Sequence, residues 1–368
     1  MVYFLSSKGP TPYDYFTRLA DAFLNDRVYL TTNPPWLNEL IPATANKYYV
    51  VYPPMPAVLS LPFVLFFGAS FEQRYLAHLV GAGTVTLTMA MAWKIKKDKK
   101  LLIWTGCLAG LGNIIWFLSA DGSAWYLAQI TAAFFLTAAI LESLREKRPL
   151  LMGIFLGAAY LSRLPTILAL PFFLVILWPQ RDLKKYLLFL AGVTPFIATN
   201  ALYNLARFGV FWDKGYALIP EVLAEPWYNA GLFHISYIPK HLAIIFGALP
   251  KKIADPPFLI PSWRGLAIWI TTPAFVYALR TNLKEKLVKA SWLAIILISL
   301  VIFSHGTTGF AQFGYRFAVD FYPLLTFLVI KSVAKTGLKW HHWLLLTLGI
   351  VVNLWGILWI NKFDWVTF

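Results

Sequence analysis

Ten apolar runs, each long enough or nearly long enough to cross a bilayer, divide this chain, and short lysine-rich loops separate many of them. The runs cover roughly residues 75–93, 101–120, 124–143, 150–162, 164–178, 186–203, 264–280, 290–304, 320–334 and 343–360. A crossing helix needs about 20 apolar residues. In lipid it must also satisfy every backbone N–H and C=O within itself. The chain therefore reads as an all-α polytopic membrane protein, a bundle of about ten transmembrane helices. Only 13% of its residues are charged, against about 25% in a soluble domain.

The loops 94–100, 145–149, 180–185, 280–289 and 331–342 hold 18 of the 32 Lys and Arg residues in 40 positions. The segments on the opposite side hold the other 14 in 163 positions. Excess positive charge marks the cytoplasmic side of a membrane protein. With these loops inside, all ten crossings alternate. The division is then a first outer segment (1–74), six crossings (75–203), a second outer segment (204–264) and four crossings (265–368). The expected location is the cell membrane. The net charge of +15 is a topology signal, so no nucleic-acid partner is expected.

The same parity keeps 54–67 from being an eleventh crossing, because that would move Lys94 to Lys100 outside. This run carries Pro54, Pro56 and Pro62. It is expected to lie on the outer surface or to dip in and return, and 237–250 is expected to form a second surface helix. Residues 11–27 read as an amphipathic helix. Phe16, Leu19, Ala20, Phe23 and Leu24 share one face and Asp14, Arg18 and Asp21 the other. Thr11, Pro12 and Asp14 fit N-cap, N1 and N3. Residues 28–53 read as an aromatic, proline-rich loop on the membrane surface. Residues 1–10 are too short to span and lack the apolar core of a signal peptide. An outside start then implies a first transmembrane helix upstream of Met1.

Charged groups at a membrane helix mouth are costly and usually face a cavity, a partner or a substrate. Gln312, Arg316 and Asp320 stand at i, i+4 and i+8, which is one face of a helix. The plainer alternative is an Arg316–Asp320 ion pair that finishes a helix. Arg163 is the lone charge between two short apolar runs. The single cysteine, Cys107, and six histidines without an H-x-x-x-H pattern point to no zinc site. No cofactor is expected. A divalent ion would want more clustered carboxylates than the outer segments hold.

The order of several motifs resembles a known family. Leu-Ala-x-Ala-Phe-Leu-x-x-Arg (19–27) precedes Tyr-Pro-Pro-x-Pro-Ala-x-Leu-x-Leu-Pro (52–62). Arg-x-Pro (163–165), Tyr-Asn-x-x-Arg-Phe-Gly (203–209) and Gln-Phe-Gly-Tyr-Arg-Phe (312–317) follow. Across nearly the whole chain this is similar to the GT-C glycosyltransferases of bacteria and archaea, those like protein O-mannosyltransferases and lipid A aminoarabinose transferases. The resemblance implies a GT-C-like bundle with juxtamembrane helices on its outer face. It also implies a sugar donor on a polyprenyl phosphate and inverting transfer outside the cytoplasm. The family's catalytic acid sits in an Asp-Glu pair before the amphipathic helix. Here that pair falls on Pro12 and Tyr13, and Asp14 is the nearest acid.

Such a reaction needs a carboxylate to deprotonate the acceptor hydroxyl, cationic donors for the leaving phosphate and an apolar groove for the lipid chain. Asp14 is the first candidate base, with helix capping as its alternative, and Glu39 is the second. Arg163 and Arg316 suit the phosphate because a guanidinium fork matches its oxygens, with snorkelling to headgroups as the alternative. Gln312, Asp320, Tyr52, Lys240 and His241 complete the substrate-binding candidates. Tyr52 with Pro53 and Pro54 could instead set backbone shape, and Lys240 with His241 could face lipid phosphates. The expected partners are the membrane, a polyprenyl-phosphate sugar donor and a lipid, glycan or protein acceptor. A transporter or lipid flippase is the rival from another class, although the chain shows no two related halves. An inactive lipid-binding relative is a third reading.

Overall fold

The computed structural model describes residues 1–44, 46–145, 148–178 and 182–368. The chain begins with α1 (Val2–Ser6) and α2 (Tyr15–Leu24), then a hairpin of β1 (Leu40–Pro42) and β2 (Tyr48–Val50), then α3 (Met55–Phe67). Next come α4 (Gln73–Ile95), α5 (Lys99–Gly110), α6 (Ile115–Asp121), α7 (Ala124–Leu144), α8 (Pro149–Ser162), α9 (Leu170–Leu177) and α10 (Leu183–Phe208). The later part holds α11 (Gly215–Leu218), α12 (Ile238–Gly247), a small hairpin of β3 (Lys251–Lys252) and β4 (Leu259–Ile260), and α13 (Ile268–Thr271). It ends with α14 (Lys286–Phe303), α15 (Tyr322–Thr336) and α16 (Trp340–Ile357).

Among the described residues, α4, α7, α10, α14 and α16 with its π-helical extension to Lys362 are long and apolar enough to cross a membrane. Helices α5 and α6 make a sixth span if taken together across a 53° bend. Asn113 explains that bend. Its amide donates to the Leu108 carbonyl at 2.7 Å and its Oδ1 accepts the Ile115 N–H at 2.8 Å, so one side chain ends one helix and starts the next. The remaining expected crossings form shorter pieces, so a protein-wide count of ten is not what helix length alone yields. The 164–178 run opens with a 3₁₀ segment, Leu164–Ala169, and the 264–280 run breaks at Thr272 into Pro273–Arg280. Proline within the first turn marks both segments. Residues 146–147 of the loop 145–149 and 180–181 of the loop 180–185 lie outside the described residues.

Helix α7 is almost wholly buried, with α4 and α8 packed along it. Helices α8 and α10 meet most closely. A Cβ added at Gly192 would sit 2.3 Å from the Leu150 carbonyl oxygen, and one at Gly153 would sit 2.1 Å from that of Phe189. Only glycine permits such backbone contact, the small-residue packing typical of helices in lipid.

The N-terminal segment departs from expectation at the start of its helix and in the stretch after it. Helix α2 begins at Tyr15, with Asp14 as N-cap but without a side-chain cap bond. Thr11 Oγ1 accepts the Tyr13 N–H at 3.2 Å instead of opening the helix. Phe16, Leu19 and Ala20 are fully buried, as the amphipathic pattern requires, whereas Leu24 is exposed. The hairpin, paired Leu40 to Val50, orders the stretch expected to be loop. Arg207, at the end of α10, donates to the Val50 carbonyl and ties the hairpin to the bundle. Helix α3 has 13 residues, too few to span.

Candidate functional site

Glu39 immediately precedes β1, so the hairpin sets where its carboxylate points. Its Oε2 accepts hydrogen bonds from the Tyr52 hydroxyl and from Trp125 Nε1, the latter at 2.8 Å. Trp125 is in the first turn of α7, and Tyr52 lies two residues after β2. Burial raises the carboxyl pKa to about 7. The Trp125 bond, the Arg316 charge and Tyr216 oppose that rise, and Glu225 adds to it. A carboxyl poised near neutrality suits proton transfer, because a base works best with a pKa near the working pH.

Arg316 approaches the same place from the other end of the chain. It is 7% exposed, and burial works against its charge. Its Nε is buried without a hydrogen-bond partner among the described residues. Gln312 holds its backbone. Gln312 Oε1 accepts the Arg316 N–H at 2.9 Å, while Nε2 donates to the carbonyls of Thr308 at 2.9 Å and Arg264 at 3.0 Å. The Gln129 amide donates to the Arg316 carbonyl at 3.1 Å. Gly309, at φ +90°, passes close by: a Cβ there would sit 3.2 Å from Arg316 Nε. A side chain at that position would be both strained and in the way.

The expected helical face of Gln312, Arg316 and Asp320 does not form. Residues 316–320 are a 3₁₀ helix, and α15 starts only at Tyr322. With three residues per turn, positions i and i+4 point about 120° apart. Asp320 therefore turns away from Arg316 and pairs with Arg163. The alternative of an Arg316–Asp320 pair is thus replaced by a two-pronged contact, Arg163 Nη2 to Oδ2 at 3.0 Å and Nε to Oδ1 at 3.1 Å. Asp320 is fully buried. Both guanidiniums lie over the Phe317 ring, Arg163 at 5.7 Å and Arg316 at 4.9 Å.

Tyr216, at the start of α11, is within electrostatic reach of Glu39, Arg163 and Arg316 alike. His241, on α12, spends both ring nitrogens inside the protein. Nε2 donates to the His305 carbonyl at 2.8 Å, so Nδ1 accepts from the Tyr315 hydroxyl at 2.6 Å. Burial lowers its pKa to about 4, and that of His305 likewise, which leaves both neutral at ordinary pH. Lys240 is exposed on the same helix. Asp14 is engaged elsewhere: its Oδ1 accepts from Arg18 Nε at 2.7 Å. Among the described residues, no three of His, Cys, Asp and Glu gather closely enough to hold a metal ion.

The structure thus brings Glu39, Tyr52, Arg163, Gln312, Arg316 and Asp320 to one region and His241 behind it. Trp125, Tyr126, Tyr216 and His305 belong to the same region and carry no sequence signal beyond being aromatic residues near loops.

No protein-family model matches the chain, and no curated protein matches its sequence. Two solved structures share its fold. One is ArnT from Cupriavidus metallidurans bound to undecaprenyl phosphate, at a TM-score of 0.56 and 14% identity, covering 95% of this chain and 61% of that one. The other is the apo state of the same protein, at a TM-score of 0.53 and 14% identity, covering 95% and 60%. The chain spans about three fifths of the length of these structures. A chain with several helices long and apolar enough to cross a membrane, in which a carboxyl and two arginines converge, thus shares the fold of ArnT.

Proposed function

We propose that the protein transfers a sugar from a polyprenyl-phosphate donor to an acceptor hydroxyl at the outer face of the cell membrane. The observation that carries this reading is the meeting of Glu39, held near neutrality, with the buried Arg316, whose Nε has no hydrogen-bond partner among the described residues. Glu39 rather than Asp14 acts as base, because Asp14 is spent on Arg18. Glu39 takes the acceptor proton as the acceptor oxygen attacks the anomeric carbon. The bond from that carbon to the phosphate oxygen breaks, and Arg316 receives the charge left on the phosphate. Arg163, already paired with Asp320, fixes the 3₁₀ segment that carries Arg316 and adds positive potential. Tyr52 and Trp125 orient the base. ArnT bound to undecaprenyl phosphate supports the choice of carrier class.

In this reading the chain makes ten crossings, six in 75–203 and four in 265–368. The segments 1–74 and 204–264 form the outer face, where the site lies. Purified protein supplied with panels of polyprenyl-phosphate sugars and of lipid, glycan and protein acceptors tests the proposal through release of polyprenyl phosphate. Turnover that Glu39→Gln abolishes supports it. Absence of turnover with adequate panels, or turnover that Glu39→Gln leaves unchanged, overturns it.

A further inference from the structure

At the end of the bundle opposite the candidate site, α9, α10 and α14 leave a groove of 780 Å³. Leu174, Val175 and Trp178 form one wall, Leu183 and Tyr186 the second, and Ala290 and Leu293 the third. Lys286 and Lys289 stand at its rim. With Ala290 and Leu293 they occupy i, i+3, i+4 and i+7 of α14, a single stripe. Both lysines are exposed, and neither makes an ion pair among the described residues. The nearby Glu285 is taken by Lys331. The first turn of a helix is where the backbone dipole disfavours cations, and the acid at this helix's N-cap, Glu285, is the one paired with Lys331. Leu174, Trp178, Leu183 and Leu293 remain exposed despite their size.

We infer that this groove holds an anionic glycerophospholipid, with one acyl chain between α9, α10 and α14 and the phosphate against Lys286 and Lys289. Three observations choose this occupant. The walls are hydrocarbon and the volume falls in the roughly 300–1,000 Å³ range of small-molecule clefts. Among the described residues, the charges on the lining are two cations, which complement a phosphate and would repel a cationic headgroup. The charge bias of the loops places this end in the cytoplasmic leaflet, where anionic lipids attract basic residues. Trp178 closes the C-terminal end of α9 and Tyr186 stands in the first turn of α10, helix-end positions typical of aromatic residues that meet headgroups. The inference is independent of the transfer reaction, because the groove uses none of the residues assigned to it.

The test is photolabelling of the purified full chain in nanodiscs with a phosphatidylglycerol analogue carrying a photoactivatable acyl chain, mapped by peptide mass spectrometry. Labels are expected on the peptides around 174–186 and 286–293. Unlabelled phosphatidylglycerol should compete and phosphatidylcholine should not. Lys286→Gln/Lys289→Gln should lower labelling at least fivefold, since each basic residue near an anionic surface contributes roughly that factor. Leu293→Trp, which fills the groove while keeping both lysines, should lower it as well and guards against misfolding of the double variant. Equal labelling by a phosphatidylcholine analogue, or insensitivity to both variants, overturns the proposal. So does preferential competition by a polyprenyl phosphate, which would make the groove a seat for a carrier chain.

Discussion

Arg163 and Asp320 lie 157 positions apart in the chain and meet through two parallel hydrogen bonds with the carboxylate wholly buried. The pair joins the turn after α8 to the 3₁₀ segment before α15, so it fastens the two halves of the candidate site. Removing Arg163 would leave a wholly buried carboxylate uncompensated, which costs about 3–5 kcal/mol; removing Asp320 leaves the partly exposed Arg163, at a smaller cost. Arg163→Met should therefore lower the thermal unfolding midpoint in detergent markedly. Arg163→Met/Asp320→Leu should recover much of that loss, since an apolar pair of similar size leaves no orphan charge. A double variant no better than the single one would show that the pair does not act as a unit.

Replacing the base tests chemistry without disturbing shape. Glu39→Gln should keep the Trp125 hydrogen bond, through the amide oxygen, and lose about 10²–10⁴-fold in turnover, the usual contribution of a positioned acid–base group. Asp14→Asn should leave turnover within a few-fold of wild type. The two variants are compared in one lipid-linked sugar assay with their gel-filtration profiles as folding controls.

The pH dependence has a definite sign. A base must be ionised, so kcat/KM should rise with pH and level off above about 7. Tyr52→Phe removes a hydrogen bond to the carboxylate and should move that limb to higher pH. Stability runs the other way. The folded carboxyl binds its proton more tightly than the ordinary value of 4.5, so stability should fall as pH rises from about 4.5 to about 7. Glu39→Gln should flatten that decline. A wild-type stability curve unchanged by the substitution would separate Glu39 from the effect.

Arg316 and lysine should not be interchangeable. A guanidinium has a planar fork and a lysine only a point charge, so Arg316→Lys should lower kcat with a smaller effect on binding of a polyprenyl phosphate alone. Arg316→Gln should weaken both. Equilibrium binding of radiolabelled carrier lipid, measured beside turnover, distinguishes these outcomes.

Backbone contact between α8 and α10 leaves no space for a methyl group. Gly192→Ala should destabilise the protein by about 1–3 kcal/mol, the usual cost of overpacking, with activity falling in parallel with folded fraction. Thermal unfolding of the purified variant checks it.

Much of this architecture was legible because lipid imposes one rule on every crossing helix. The apolar runs follow from hydropathy, the interest of Arg163 and Arg316 from charges at helix mouths, and that of Glu39 from an acid set among aromatic residues. Other features were hidden for local reasons. A spacing of four assumes an α-helix, so the 3₁₀ turn at 316–320 concealed the true partner of Asp320. Prolines in the first turns of 164–169 and 273–280 shortened runs that look continuous by composition. Asp14 looked attractive as the acid nearest the place of the family's catalytic pair, yet an arginine four residues on absorbed it. Tyr216 and Trp125 reach Glu39 only through tertiary folding, and nothing in their local sequence sets them apart from the other aromatic residues.

The glycine contact between α8 and α10 has a mechanical consequence. Where the backbones touch, at Gly153 and Gly192, no side chain lies between the helices to rearrange, so there they form one stiff post. Arg163 stands at the end of that post, and its partner Asp320 lies on the irregular backbone that also carries Arg316. The irregular 304–321 segment is thus tied through Asp320 to a rigid support, and that tie sets where Arg316 stands.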